Sequence, residues 1–210
     1  MTRTKRVSKH AQRRAATENA LLDAFEKVLV RSGIRKLSVN SIVEAARVSK
    51  PLLYRYFGDL PGLVRTWAAR RAFSRSQSGE GTETRIPIVD DGDFHRQIAG
   101  DLIASANALR SSPVTLELLA EELTANSDIS EAFQEARGEQ GRFFQKAMLT
   151  DERYVQPENR RLIIILYAAI TYLAMRSRRS PRFMGLRLDT DEGWEEALEM
   201  VRGIVMQPGK

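Results

Sequence analysis

The chain has 210 residues, of which 29% are charged and 42% belong to the wider hydrophobic class; this is typical of a globular protein and not of a disordered chain. It has no cysteine, which excludes disulfides and thiolate chemistry and favours a reducing, cytoplasmic compartment. The net charge of +6 is divided unevenly: residues 1–75 carry 17 Lys and Arg against 5 Asp and Glu, whereas residues 76–210 carry 16 against 22. The basic first part is therefore predicted to bind a polyanion, and the alternative is a solvated surface of uneven charge.

The first 14 residues are predicted to be a basic arm that is disordered in the free protein. They contain no acidic residue and show no apolar periodicity. Such arms lie along phosphates or reach into a minor groove of DNA, and the alternative is a solubilising tail. The side chains of the arm that would contact DNA are Arg3, Lys5, Arg6, Lys9, Arg13 and Arg14.

A first helix is predicted to open at Thr17 and to end before Gly33, because glycine is common just past a helix end. Leu21, Phe25 and Leu29 recur at helical spacing, so they are predicted to form the core under the helices that follow. Together with those helices, they make up a domain that spans residues 15–75.

Two short helices joined by a turn are predicted within residues 38–57. Ser38 caps the first helix, Arg47 lies in the turn and Ser49 caps the second helix. Pro51 is tolerated near the start of the second helix, where backbone N–H groups have no intrahelical partner. The rest of that helix surface is cationic and aromatic, which suits a major groove better than a core. The inward positions of the two helices are Val39, Ile42, Val43, Ala46, Leu53 and Phe57.

These residues resemble the helix-turn-helix pattern of the TetR family of bacterial transcriptional regulators. The matching positions are Ser38, Ile42, Ala46-Arg47-Val48-Ser49, Leu53-Tyr54-Arg55-Tyr56-Phe57 and Leu63. The resemblance covers roughly residues 15–75, and it implies that Lys50 and Leu52 read base edges while Tyr54 and Tyr56 contact phosphates. The DNA-binding residues implied in this way are Ser38, Arg47, Ser49, Lys50, Pro51, Leu52, Tyr54, Arg55 and Tyr56.

The chain departs from the family pattern at three places. Arg47 stands where the turn usually has glycine, so a non-glycine residue is expected at positive φ, at a cost of about 1–2 kcal/mol. Leu60 replaces a lysine that usually contacts phosphate, so one positioning contact is expected to be missing. Pro51 and Leu52 replace a common Gly-Thr pair, and Leu52 is expected to favour a thymine methyl.

The remaining residues predict a flexible loop over 76–93 and a helical effector-binding and dimerisation domain over 94–206. Asp59 is predicted to cap a fourth helix, which reaches about Ser74 and joins the two domains. No strand or repeat is predicted, so the fold class is all-α with about nine helices.

Later helices are predicted to open near Asp93, Ser112-Pro113, Asp128 with Glu131 as its capping partner, Pro157, and Asp189 or Thr190. Their inward residues are predicted to include Leu116, Leu119, Leu123, Phe133, Phe143, Phe144, Trp194, Leu198, Val201 and Val205.

The segment 162–175 is apolar all round, apart from Thr171. Its 14 residues are fewer than the about 18 that span a bilayer, and arginines close both ends, so a buried helix is predicted and no membrane contact. One side of such a helix is expected to pack on its own protomer and the other on a second copy. A central core helix in a monomer is the alternative. In the TetR-like layout the last two helices form the homodimer interface, here with Ile163, Tyr167, Ile170, Trp194, Leu198 and Val201.

An effector pocket is implied only by the resemblance. Its predicted lining is Trp67, Phe133, Phe144 and Tyr172, although aromatic residues at helical spacing are more often plain core. Glu117 and Glu121 share a helix face and would attract a cationic ligand if they were not simply solvated.

The sequence therefore predicts a transcriptional regulator that binds double-stranded DNA and no cofactor. No catalytic or metal-binding constellation is present: His10 and His95 stand apart from any HExxH or Gly-x-Ser-x-Gly pattern. The resemblance implies a cytoplasmic, nucleoid-associated homodimer that represses from a palindromic operator and responds to a small-molecule effector. The alternative is an architectural protein that binds DNA without sequence preference. The operator, the effector and the regulated genes are not encoded in any pattern of the chain.

Overall fold

The computed structural model describes residues 9–72, 91–124, 127–148 and 152–207, and nine α-helices lie in these ranges. They are α1 Lys9–Ser32, α2 Val39–Ala46, α3 Lys50–Phe57, α4 Leu60–Trp67, α5 Asp91–Arg110, α6 Pro113–Thr124, α7 Asp128–Met148, α8 Pro157–Arg179 and α9 Asp191–Met206. Shorter elements are 3₁₀ turns at Ile34–Lys36 and Glu152–Val155, a π-helical segment Ala68–Ala72 that continues α4, and the strands β1 Arg182–Phe183 and β2 Leu186–Arg187. The predicted all-α fold, with a helix-turn-helix domain followed by a helical domain, is confirmed.

The N-terminal domain is organised around the apolar face of α1. Leu21, Phe25 and Leu29 are fully buried there, as the helical spacing predicts. Leu53 of α3 and Trp67 of α4 join the same cluster, and the rings of Phe25 and Trp67 lie 5.6 Å apart. Because α2 and α3 contribute to this core, it fixes how they pack on α1.

The beginning of α1 differs from the prediction. The helix starts at Lys9 and not at Thr17, so residues 9–14 are helical and the prediction of a disordered arm was wrong for them. A carboxylate one turn further on supports this end: Arg14 Nε donates to Glu18 Oε1 at 2.7 Å, an i,i+4 ion pair. Residues 1–8 lie outside the described residues.

The turn between α2 and α3 has the geometry that the sequence predicts. Ser38 and Ser41 form a reciprocal capping box at the start of α2, with hydrogen bonds of 3.1 and 3.0 Å. Arg47 has φ 55° and ψ 41°, so a non-glycine residue does occupy the left-handed region. Ser49 stands at the N-cap position of α3, but its side chain makes no capping hydrogen bond.

The junction of α3 and α4 is tight. Asp59 accepts a hydrogen bond from the N–H of Gly62 at 2.6 Å, which confirms it as the cap of α4. A Cβ at position 62 would clash with the carbonyl oxygen of Phe57, so this position requires glycine. Trp67 ends the α-helical part, and the π segment follows it directly.

A second core holds the C-terminal helices together. It contains Phe94 and Ile98 of α5, Ile170 of α8 and Trp194 of α9. The indole N–H of Trp194 donates to Asn107 Oδ1 at 2.8 Å, so this buried polar group is satisfied. The inward residues predicted for α9, Trp194, Leu198, Val201 and Val205, are all buried.

Several predicted boundaries in this domain shift. α5 begins at Asp91, so the last three residues of the predicted loop 76–93 are helical, while residues 73–90 lie outside the described residues. Leu116 and Leu119 are buried as predicted, but Leu123, in the last turn of α6, is 74% exposed. The cap of α7 is Ser127, whose hydroxyl accepts from the N–H of Ser130, and not Asp128. Phe133 is buried as predicted, whereas the side chains of Phe143 and Phe144 lie outside the described residues.

A two-stranded hairpin between α8 and α9 was not predicted. Arg182 pairs with Arg187 and Phe183 with Leu186. Met184 forms its tip at φ 48°. Two-residue strands carry too little alternation to be read from sequence.

The two domains contact each other through α4 and α7. The rings of Trp67 and Phe133 lie 6.4 Å apart within one buried cluster. At the rim of this contact, Arg65 Nε and Glu135 Oε2 form an ion pair of 2.9 Å. Because α4 follows α3 after a turn of two residues, this contact connects the C-terminal domain to the helix-turn-helix.

Candidate nucleic-acid interface

One face of α3 is packed and the other is open. Leu53 and Phe57 face the domain core, as predicted. The residues predicted to bind DNA occupy the remaining surface of the helix-turn-helix. Ser38, Arg47, Ser49, Lys50, Pro51, Tyr54 and Arg55 are exposed, whereas Leu52 and Tyr56 are half-buried. The open face presents cationic, aromatic and hydroxyl groups together, the set that contacts phosphates and base edges.

Tyr54 is the most prominent aromatic side chain of this face. It is 46% exposed, and the Nζ of Lys50 lies 5.9 Å from its ring centroid. The ring is large enough to keep a hydroxyl at the surface without packing in the core. These two side chains therefore occupy neighbouring positions on one surface, where a phosphate and a base edge would both be in reach.

Tyr56 has a different environment, between the core and the open face. It packs on the hydrophobic cluster of the domain, while two guanidinium groups lie near its ring. The Cζ of Arg14 is 5.4 Å from the ring centroid, and that of Arg55 is 5.9 Å away. Cations at this distance interact favourably with a tyrosine ring.

Arg14 is also part of an ion-pair cluster around a buried carboxylate. The side chain of Glu18 is only 8% exposed and accepts from Arg14 Nε at 2.7 Å and from Arg70 Nη1 at 2.9 Å. Burial alone would raise the pKa of Glu18, but the hydrogen bonds from Arg14 and Arg70 outweigh it and lower the pKa below its usual range. Glu18 is therefore a carboxylate that holds α1 to the π segment after α4.

The predicted arm residues divide into two groups. Arg3, Lys5 and Arg6 lie outside the described residues, whereas Lys9, Arg13 and Arg14 are exposed on the first turns of α1. Any contact of Lys9 or Arg13 with DNA would thus come from a helix and not from an extended arm. Two exposed cations that sequence reasoning missed, Arg35 and Lys36, lie in the 3₁₀ turn just before Ser38. The sequence feature that could have identified them is a pair of basic residues just before the helix cap Ser38.

The predicted dimer residues lie mostly inside the protomer. Ile170, Trp194, Leu198 and Val201 are between 1% and 5% exposed, and Ile163 is half-buried against the same core. Only Tyr167 is exposed, at 42%. The residues predicted for the interface therefore lie mostly on the faces of α8 and α9 that pack inside the protomer. Exposed apolar side chains lie on the opposite faces of these helices: Ile164, Ile165 and Tyr172 on α8, and Met200 and Ile204 on α9.

The three predicted pocket residues whose side chains the structure describes lie at two different places in the fold. Trp67 and Phe133 are core residues at the domain contact, and Tyr172 is 45% exposed with its ring against Phe183. Phe144 has a side chain outside the described residues. A cavity of about 30 Å³ lies elsewhere, between α5, α8 and Tyr154. That volume holds about one water molecule and is well below that of a site for an organic ligand.

The acidic pair considered for a cationic ligand has local partners. Glu117 accepts from Arg179 at 2.6 Å, and Glu121 accepts from the hydroxyl of Ser127 at 3.4 Å. Within the described ranges, no three His, Asp or Glu side chains are grouped closely enough to hold a metal ion. Across the same part of the chain, no helix has the length and apolarity needed to cross a membrane.

Comparison with known proteins agrees with this geometry. Residues 21–65 match the sequence profile of the family described as bacterial regulatory proteins, tetR family. No curated protein matches the sequence. The matched range begins in α1 and ends in α4, so it includes the whole helix-turn-helix.

Solved structures extend the likeness over most of the chain. A transcriptional regulator from Rhodococcus sp. Rha1 is 18% identical with a TM-score of 0.64, over 90% of this chain and 96% of that one. NalD, the secondary repressor of the MexAB-OprM multidrug efflux pump in Pseudomonas aeruginosa, is 19% identical with a TM-score of 0.59, over 90% and 95%. A TetR family transcription regulator from Marinobacter aquaeolei VT8 is 18% identical with a TM-score of 0.58, over 91% and 96%. At these identities the likeness establishes the fold.

Proposed function

We propose that this chain is a transcriptional regulator of the TetR type, a ligand-responsive repressor that binds a palindromic operator as a homodimer. The observation that carries the proposal is the open face of α3, where Lys50, Tyr54 and Arg55 are exposed on a helix anchored by Leu53 and Phe57. A helix that is packed on one side and cationic and aromatic on the other is suited to the major groove. Binding to chromosomal DNA would place the protein at the nucleoid.

The roles of the α3 residues follow from where each side chain lies. Lys50 and Leu52 are in the first turn of α3, and the N-terminal residues of a recognition helix contact base edges. Tyr54 and Tyr56 lie further along, where their hydroxyls would donate to phosphates and fix the register of the protein on the duplex. The exposed Arg35 and Lys36 before α2 would add phosphate contacts that depend on salt.

A homodimer is supported by the exposed apolar surface of α8 and α9. Ile164 and Ile165 are 56% and 66% exposed, and Met200 and Ile204 are 51% and 50% exposed. Exposed apolar side chains grouped on one face of a helix mark an interaction surface. Two copies joined there would bury four helices together and would place two α3 helices on half-sites about 34–36 Å apart or more.

The response to an effector would act through α4. This helix packs on α7 through Trp67 and Phe133, and it joins α3 through a two-residue turn. A ligand in the C-terminal domain would change DNA binding only if it bound one position of α4 better than another. We propose repression as the direction of regulation because NalD, whose fold is similar, is a repressor.

Selection from a random duplex library tests the proposal. The purified protein is incubated with the library at about 0.15 M salt, and the retained duplexes are sequenced. The proposal predicts one palindromic sequence, bound by two protomers as counted by mass photometry. Retention without sequence preference would instead support an architectural DNA-binding protein.

A further inference from the structure

The strongest unexplained feature of the N-terminal domain is the position of Glu18. It is a buried carboxylate on α1, 6% exposed as a residue. Its two oxygens bind different elements: Oε1 accepts from Arg14 and Oε2 from Arg70. A buried carboxylate is retained at a cost in desolvation, and here two guanidinium groups offset that cost.

The two arginines of this ion-pair cluster contact or belong to different elements, the recognition helix α3 and the π segment after α4. Arg14 lies over the ring of Tyr56, at 5.4 Å from its centroid, and Tyr56 belongs to α3. Arg70 belongs to the π segment Ala68–Ala72, which continues α4 toward the C-terminal domain. A continuous set of contacts therefore runs from the π segment through Glu18 and Arg14 to the recognition helix.

We propose that Glu18 and Arg14 are positioning residues for Tyr56. Through Glu18, the orientation of the Tyr56 side chain depends on the position of the π segment after α4. Glu18 fixes the guanidinium of Arg14, which covers one face of the Tyr56 ring and restricts where its hydroxyl points. Arg70 fixes Glu18 from the other side. Movement of the π segment would thus release Arg14 and loosen Tyr56, without any change in the helix-turn-helix core. The inference rests on the proposed binding of an operator.

Charge alone predicts the opposite effect for one variant. Glu18→Gln removes a negative charge from a basic domain, so general electrostatics predicts tighter DNA binding. The positioning role predicts weaker operator binding, by roughly two- to tenfold, because the neutral amide holds the two arginines less firmly. The sign of the change therefore separates the two explanations.

The experiment measures operator dissociation constants for the full chain, with the duplex selected by the wild-type protein. Glu18→Gln and Arg14→Gln are compared in the wild-type background and in Tyr56→Phe, which keeps the ring and removes the hydroxyl. Arg13→Gln is the matched control, because it removes the same charge from the exposed neighbour of Arg14 on α1. Circular dichroism and mass photometry confirm that each variant is folded and keeps its oligomeric state.

The expected result has three parts. Glu18→Gln and Arg14→Gln weaken operator binding, Arg14→Gln does so more than Arg13→Gln, and both effects largely disappear in Tyr56→Phe. Arg70→Gln weakens binding as well but adds little to Glu18→Gln, because both break the same cluster.

Three results would overturn the inference. They are unchanged or tighter binding of Glu18→Gln, equal effects of Arg14→Gln and Arg13→Gln, and effects of the same size in the Tyr56→Phe background. The wild-type protein reports on operator binding in the same experiment, so a failure of the proposed function is distinguishable from a failure of the positioning role.

Discussion

The helices α3 and α8 both leave one face uncovered by their own protomer, but the chemistry of the two faces differs. On α3 the uncovered side chains include Lys50, Tyr54 and Arg55. On α8 they include Ile164 and Ile165, which are 56% and 66% exposed. Both helices are otherwise anchored in the same way, by buried apolar residues on the opposite side.

This difference indicates two different partners. A cationic face keeps its hydration until a polyanion replaces the counterions, so it is stable in water and selective for phosphate. An apolar face gains free energy from any partner that removes it from water, and a second copy brings the same face with it. The comparison therefore supports the proposal that α3 binds DNA and that α8 mediates self-association.

The largest expected effect separates the two faces of α8. Ile170 is 1% exposed, so Ile170→Arg would bury an unpaired charge in the protomer core and destabilise the fold by about 3–5 kcal/mol. Loss of the cooperative thermal transition, followed by circular dichroism, is the expected outcome. A variant that melts like the wild type would mean that the buried face of α8 is assigned wrongly.

The uncovered face of α8 is expected to respond differently. Ile165→Arg should leave the protomer folded but weaken the dimer by at least roughly 2 kcal/mol, about thirtyfold in its dissociation constant. Analytical ultracentrifugation measures this change. Leu123→Arg is the matched control, because Leu123 is 74% exposed but belongs to α6 and not to α8 or α9. Equal effects of the two substitutions would remove α8 from the interface.

The uncovered face of α3 is tested by Tyr54→Ala. Tyr54 is 46% exposed, so the fold should be retained while operator affinity falls by roughly 1–3 kcal/mol, through loss of a contact to a charged phosphate. Fluorescence anisotropy with the selected duplex measures the change, and Tyr54→Phe separates the hydroxyl from the ring. An affinity equal to that of the wild type would place Tyr54 outside the DNA contact.

The smallest expected effect concerns acid stability. Because the pKa of Glu18 is lower in the folded protein, its stabilising contribution is present above the ordinary carboxyl pKa and is lost as the pH falls through the folded value. Glu18→Gln should therefore lower the free energy of unfolding by about 1 kcal/mol at neutral pH, and the difference should shrink on acidification. Urea unfolding at a fixed protein concentration measures it. A difference that grows toward acid pH would contradict the sign of the pKa shift.

The sequence predicted the N-terminal domain more accurately than the C-terminal one, for physical reasons. In α1 to α4, apolar residues recur on one face only, and Ser38 and Asp59 mark helix starts, so both the phase and the boundaries were readable. Even the left-handed backbone conformation of Arg47 was predicted from the turn pattern. The start of α1 was missed because residues 9–14 have no apolar period, and only the contacts of Arg14 with Glu18 and Tyr56 show what holds them.

The C-terminal domain lacks such signals. α8 is apolar on every side between Leu162 and Met175, so its sequence does not reveal which face is buried, and the predicted interface had the wrong phase. Two aromatic residues that were predicted to line a pocket, Trp67 and Phe133, are core residues at the domain contact. Periodicity locates an interface only when the two sides of a helix differ in chemistry.

The central claim, sequence-specific DNA binding through α3, is tested most directly by a ratio of two dissociation constants. The selected duplex is compared with a scrambled duplex of the same base composition, at about 0.15 M salt. Specific recognition predicts a ratio of about 10³ or more in favour of the selected duplex, and a much smaller ratio for Tyr54→Ala combined with Lys50→Ala. A wild-type ratio near one would contradict the claim and would leave only charge to hold the protein on DNA.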